Sequence, residues 1–159
     1  RLYARLPVQG LLRRLLRLPI WFYRLRLGWL LGDRFLMLTH IGRKSRMPRQ
    51  TVLEVVHHDI AAETYYVASG WGERSDWLQN VLRTPRVLID AGRRRYAGQA
   101  VRLTSDQALE ILVEYARRHR GAFRALAKLI LGETPDNDDA AIERMAHALP
   151  MIALRPDER

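Results

Sequence analysis

The chain has 159 residues, 48% apolar and 28% charged, a length and balance that fit one globular hydrophobic core rather than a disordered or fibrous chain. It has no cysteine, which excludes a disulfide framework, thiolate-held metals, iron–sulfur clusters and a thiol nucleophile. The formal charge of +10 sits at the front, where residues 1–49 carry twelve Arg and Lys side chains against Asp33 alone, so an anionic partner is expected there: nucleic acid, acidic lipid or a phosphorylated cofactor.

Val8, Leu11, Leu12, Leu15 and Leu16 recur at helical spacing, with Arg13, Arg14 and Arg17 on the other side. This predicts a basic amphipathic helix ending at Pro19. A more apolar segment follows from Ile20 to Leu31, to lie on the protein body or on a bilayer. Arginines interrupt each apolar run too early for a secretory core or a membrane span. From Arg34 the pattern turns strand-like. Phe35–Thr39 is a short apolar run that stops at the turn beginning with Gly42, and Gln50–His57 is the next strand. The polar stretch His58–Glu63 then separates it from Thr64–Ser69, as in a hairpin with a longer loop. Gly70–Arg74 is too glycine-rich for a strand interior. Ser75 is placed to cap a short helix over Asp76–Arg83, which Pro85 stops.

Arg86–Asp90 and Arg94–Leu103 form a further hairpin through Ala91-Gly92-Arg93. Thr104 and Gln107 make a capping box, and Leu109, Leu112, Val113 and Ala116 mark the buried stripe of a helix reaching about His119. After a break at Gly121 a helix is expected over Ala122–Leu131. Asp136-Asn137-Asp138-Asp139 opens another toward Leu149, and Met151–Leu154 returns as a strand. Hairpin connections argue for an antiparallel α+β barrel of about six strands, with helices before and after it. No strand–GxGxxG–helix unit is present, which speaks against a Rossmann domain. The expected organisation is one domain over 1–159: a basic helical segment at 1–33, a barrel core at 34–103, and C-terminal helices with a final strand at 104–159.

Two clusters carry chemistry. The turn Gly42-Arg43-Lys44-Ser45-Arg46-Met47-Pro48-Arg49 concentrates four cations beside a glycine. Glycine lets backbone amides approach an anion, and guanidinium groups fork onto phosphate oxygens. The same residues also suit an ordinary solvated hairpin turn. The second cluster is Ala68-Ser69-Gly70-Trp71-Gly72 followed by Trp77 and Asn80. Glycine-flanked backbone at a strand end suits the edge of a flat ring, and Trp77 and Asn80 share one helix face. Trp77 reads equally as a core anchor. His57 and His58 are adjacent and point to opposite faces of a strand, and His40, His119 and His147 are scattered, so no metal site is expected. There is no G-x-S-x-G elbow.

Taken in order, Leu38-Thr39-His40-Ile41-Gly42-Arg43-Lys44-Ser45, Pro48-Arg49, Ala68-Ser69-Gly70-Trp71-Gly72, Asp76-Trp77-Leu78-Gln79-Asn80 and Thr84-Pro85 resemble the deazaflavin-dependent nitroreductase family. These are oxidoreductases of split β-barrel fold that use coenzyme F420. The resemblance spans about Arg34 to Leu103 and extends more loosely to the C-terminus. It implies that Arg43, Lys44 and Arg49 meet the phosphate and acidic tail of the cofactor, with Ser45 in the same cofactor-binding turn. It further implies that Ala68, Ser69 and Gly70, with Trp71 and Gly72, support the deazaflavin ring, and that Trp77 and Asn80 line the groove. One departure stands out: the family usually has glycine after the serine of the turn, where this chain has Arg46.

The cofactor then carries the redox chemistry, and the protein binds, orients and shields it. The implied acceptors are flat and electron-poor, such as quinones or nitroaromatics. Tyr23, Tyr65, Tyr66, Tyr96 and Tyr115 are candidate proton donors, and no catalytic residue is singled out. FMN is an alternative to F420. A non-catalytic deazaflavin or flavin carrier and a nucleic-acid-binding barrel are the rival readings, although no nucleic acid is expected. The expected location is the cytoplasm. Residues 5–31 offer a peripheral contact with the membrane face, or a leucine face packed on the barrel. A homodimer is compatible with this reading.

Overall fold

The computed structural model describes residues 33–134 and 138–158. The described strands are β1 (Phe35–Ile41), β2 (Pro48–Asp59), β3 (Thr64–Ala68), β4 (Arg86–Ala91), β5 (Arg94–Arg102) and β6 (Met151–Pro156). Helix α1 (Asp76–Arg83) joins β3 to β4, while α2 (Ser105–Arg118), α3 (Arg120–Leu131) and α4 (Asp138–Ala148) lie between β5 and β6. The strands close into a barrel in the order β1-β2-β3-β6-β5-β4, every pair antiparallel. This is the antiparallel α+β barrel that the hairpin pattern predicts. The predicted N-terminal helix, the proposed membrane contact of 5–31, Tyr23, and Asp136 and Asn137 of the polar helix start lie outside the described residues. Among the described residues no helix is long and apolar enough to cross a membrane.

Alternation sorts the strand residues. Leu36 and Leu38 of β1, Val67 of β3, and Val87 and Ile89 of β4 point into the barrel, where they meet Ile152 and Leu154 of β6. Leu88, between its two buried neighbours, is on the outer face and exposed. Strand β6 differs because Met151, Ile152, Ala153 and Leu154 are all buried. Its inner residues fill the barrel while Met151 packs with α2, α3 and α4 in a second apolar cluster that includes Leu112, Phe123 and Met145. A strand covered on both faces reads as a continuous apolar run, as this one does. At the β5–β6 crossing, a Cβ on Gly98 would stand 2.4 Å from the Arg155 carbonyl oxygen, so only glycine allows that approach.

Three local expectations change. Helix α3 begins at Arg120, so the break falls at His119 and Gly121 lies inside the helix. Strand β2 continues to Asp59, so His58 belongs to the strand and not to the loop. Cross-strand pairing favours this, since His58 stacks on Tyr65 with ring centroids 4.0 Å apart, and a register shift between Val55 and His57 accommodates the extra length. Ser75 stands at the N-cap of α1 but makes no side-chain cap. Its hydroxyl is engaged instead with Ser69, at 2.7 Å. The Thr104–Gln107 capping box of α2 forms as predicted.

Candidate functional site

The β1–β2 hairpin projects the basic turn from one end of the barrel. Its ends are pinned by backbone bonds from Gly42 N–H to the Met47 carbonyl and from Arg46 N–H to the Gly42 carbonyl, both 2.9 Å. A Cβ on Gly42 would fall 2.5 Å from Ser45 Oγ, so glycine here lets the Ser45 hydroxyl keep its place over the turn. Arg46 takes φ of 58°, the left-handed region that glycine occupies most easily. That is the position where the resembling family usually has glycine, and Arg46 here takes a backbone conformation that glycine would occupy without strain. The Arg46 guanidinium donates to Thr84 Oγ1 at 3.2 Å, which ties the turn to the end of α1.

Helix α1 forms the facing wall. Its apolar side, Leu78 and Val81, enters the barrel core, which turns Asp76 and Asn80 toward the basic turn. Asn80 Oδ1 accepts from the backbone N–H of Arg43 at 2.9 Å and from its guanidinium at 3.2 Å. Because that oxygen is an acceptor twice, the amide Nδ2 faces His40 Nδ1 at 3.1 Å and donates to it. His40 Nδ1 is therefore unprotonated, and the ring is the neutral Nε2–H tautomer. Burial, then the nearby Arg49 charge, lowers the His40 pKa from 6.5 to about 4. Arg43 also reaches Asp76 Oδ1 at 3.0 Å.

The loop between β3 and α1 supplies the third wall. Ser69 Oγ lies 2.7 Å from the Gly72 carbonyl and 2.7 Å from Ser75 Oγ. A carbonyl only accepts, so Ser69 donates to Gly72 and accepts a hydrogen bond from the Ser75 hydroxyl. Gly72 N–H returns to the Ser69 carbonyl, Ser69 N–H bonds Pro150, and Gln79 Nε2 donates to the Glu73 carbonyl at 2.6 Å. Arg102 of β5 pairs with Glu73, and that hydrogen bond holds the Glu73 carboxyl below its usual range.

Between these walls lies an open cleft of about 750 Å³. Of the residues singled out in the sequence, Arg43, Lys44, Ser45, Arg49, Trp71, Trp77 and Asn80 line it. Ala68, Ser69, Gly70 and Gly72 do not. Ser69 is fully buried as the loop's hydrogen-bonding centre, and Gly70 faces Leu126 and Leu129 of α3. His40, Gln50, Thr51, Arg74, Ser75 and Asp76 also line the cleft and were not anticipated as site residues. Hairpin register is the signal for His40, which pairs with Arg49 and so shares its face. None of the described tyrosines lines the cleft. Tyr65 is pushed up to about 12 by burial and by Tyr96, and burial also raises Tyr115, so neither is poised to give up a proton near neutrality.

The cleft volume falls in the range of small-molecule and cofactor sites. Arginine and lysine side chains fit the phosphate end of a nucleotide-like cofactor, and the two tryptophans fit flat rings.

A family model described as F420H(2)-dependent quinone reductase matches residues 16–128. Among solved structures, a protein described as a domain-swapped dimer is 14% identical over 86% of this chain and 99% of its own, with a TM-score of 0.52. HutZ, the heme storage protein of Vibrio cholerae, is 13% identical over 82% of this chain and 87% of its own, with a TM-score of 0.53. A protein of unknown function from Agrobacterium tumefaciens is 17% identical over 89% of this chain and 56% of its own, with a TM-score of 0.55. These likenesses concern the fold, a split β-barrel. No curated protein matches the chain significantly.

Proposed function

Because the chain belongs to the F420H(2)-dependent quinone reductase family, we propose that it is an F420-dependent oxidoreductase acting on a flat, electron-poor acceptor such as a quinone or nitroaromatic. The observation that carries this reading is the convergence of Arg43, Lys44, Ser45 and Arg49 with Trp77 and Asn80 on one cleft. When bound, reduced F420 supplies a hydride, and one further proton completes the two-electron reduction of a quinone to its hydroquinone. Arg43, Lys44 and Arg49 hold the phosphate and acidic tail by charge-assisted hydrogen bonds. Asn80 fixes Arg43 from behind through both its backbone and its guanidinium. Trp77, packed against the barrel core, offers a stationary ring face. None of the described tyrosines lines the cleft and His40 is neutral, so on this reading the proton is drawn from solvent at the open side.

The test is titration of the protein with oxidised F420. Changing both Arg43 and Lys44 to alanine is expected to weaken binding by about tenfold or more, the scale of losing one or two charge-assisted hydrogen bonds. Unchanged affinity would remove the phosphate assignment. A carrier is distinguished from an enzyme by whether added quinone accelerates oxidation of the bound reduced cofactor.

A further inference from the structure

We propose that Trp71 is the platform for the electron acceptor, its indole stacking on the acceptor ring at the mouth of the cleft; this rests on the reductase reading above.

Trp71 is 82% exposed, the most exposed of the large apolar residues described, and belongs to neither apolar cluster. Its side chain therefore contributes little to the fold. Its backbone is held firmly all the same. Ser69 and Gly72 bond across it in both directions, and the Glu73–Arg102 ion pair fastens the residues that follow. A large aromatic ring left in solvent on a fixed loop is a recognition surface whose backbone ordering cost is already met before binding.

The two tryptophans of the cleft differ in a way that divides the ligands between them. Trp77 is half-buried against the barrel core, where the cofactor ring finds a fixed wall. Trp71 stands at the rim, where a ligand that enters and leaves each cycle makes its contact. Indole is electron-rich, and offset stacking favours a ring of opposite quadrupole, so the platform selects electron-poor rings such as quinones. Arg74, on the same loop and also lining the cleft, adds a cation to this part of the site, which favours acceptors bearing carbonyl or nitro oxygens.

The experiment titrates 2-methyl-1,4-naphthoquinone into the full chain, alone and saturated with oxidised F420, for the wild type, Trp71→Leu and Trp71→Phe. Trp71→Leu is expected to weaken quinone binding by about three- to tenfold, the range for loss of one aromatic pair. It should raise KM for the quinone at unchanged kcat, leave F420 affinity within about twofold and leave Tm unchanged, with Trp71→Phe recovering most of the loss. Quinone affinity unchanged in Trp71→Leu overturns the proposal. So does a fall in F420 affinity as large as that for quinone, which would make Trp71 a cofactor contact. If the wild type binds no F420, the reductase reading fails; a quinone affinity that depends on Trp71 would still support the platform.

Discussion

Asn80 uses both ends of its amide inside the protein, and His40 is the residue that makes this sequence's version of the network pH-sensitive. The folded chain keeps the ring neutral down to about pH 4, whereas the unfolded chain takes up a proton near pH 6.5. In that window the unfolded state binds more protons, so stability rises with pH; it is fully present above pH 6.5 and falls on acidification until the folded ring titrates near pH 4. The loss attributable to His40 is at most about 3 kcal/mol. Substituting His40→Asn, which keeps an acceptor for the Asn80 amide, should flatten the fall in urea midpoint between pH 7 and pH 5. An identical fall in wild type and variant would assign the acid sensitivity to the carboxylates.

Helix α1 is short, yet it places Asp76, Trp77 and Asn80 on the cleft because Leu78 and Val81 are anchored in the barrel. The Leu78 side chain is fully buried. Leu78→Ala should cost about 3 kcal/mol, part transfer and part cavity. Because the anchor moves the wall, F420 affinity should fall as well, although residue 78 does not line the cleft. Equilibrium urea unfolding and the cofactor titration measure the two effects; a stability loss below about 1 kcal/mol would show that the barrel end collapses around the smaller side chain. Much of this element was legible. The acidic start, the proline stop and the Trp-x-x-Asn spacing mark it within a few residues of sequence. The partners of its polar groups were not legible, because His40, Arg43 and Ser69 are brought to it by the closing of the barrel. Ser75 shows the difference: local pattern makes it a cap, and Ser69, six residues earlier, claims its hydroxyl. Arg46 shows it again, since no local rule gives an arginine a positive φ, and the turn imposes one.

For the whole molecule, charge placement and strand order matter most. The strand sequence and its hairpins could be read along the chain, but the closing pairs β1–β4, β3–β6 and β5–β6 could not, because each joins distant segments. The excess positive charge lies within the first 49 residues, which include the basic turn. A cofactor with a phosphate and an acidic tail is attracted by this whole field, so its affinity should fall severalfold between about 0.05 and 0.5 M NaCl as the screening length shortens below about 10 Å. The double change Arg43→Ala and Lys44→Ala should make that dependence shallower. A flat salt profile for the wild type would place the binding energy in the ring contacts alone.

Strand β6 has a consequence for how the protein is made. It is the strand that joins β3 to β5, and it arrives about fifty residues after β5, beyond the three C-terminal helices. While the chain is being synthesised, β1 to β5 have nothing with which to close, and the facing edges of β3 and β5 stay open to pairing with other chains. The Ser69 amide that steadies the Trp71 loop also waits for Pro150, immediately before β6. The barrel closes only when β6 pairs with both edges, so although the residues that line the cleft all come earlier in the chain, the loop that carries Trp71 gains its Ser69–Pro150 bond only with that late-made part of the chain.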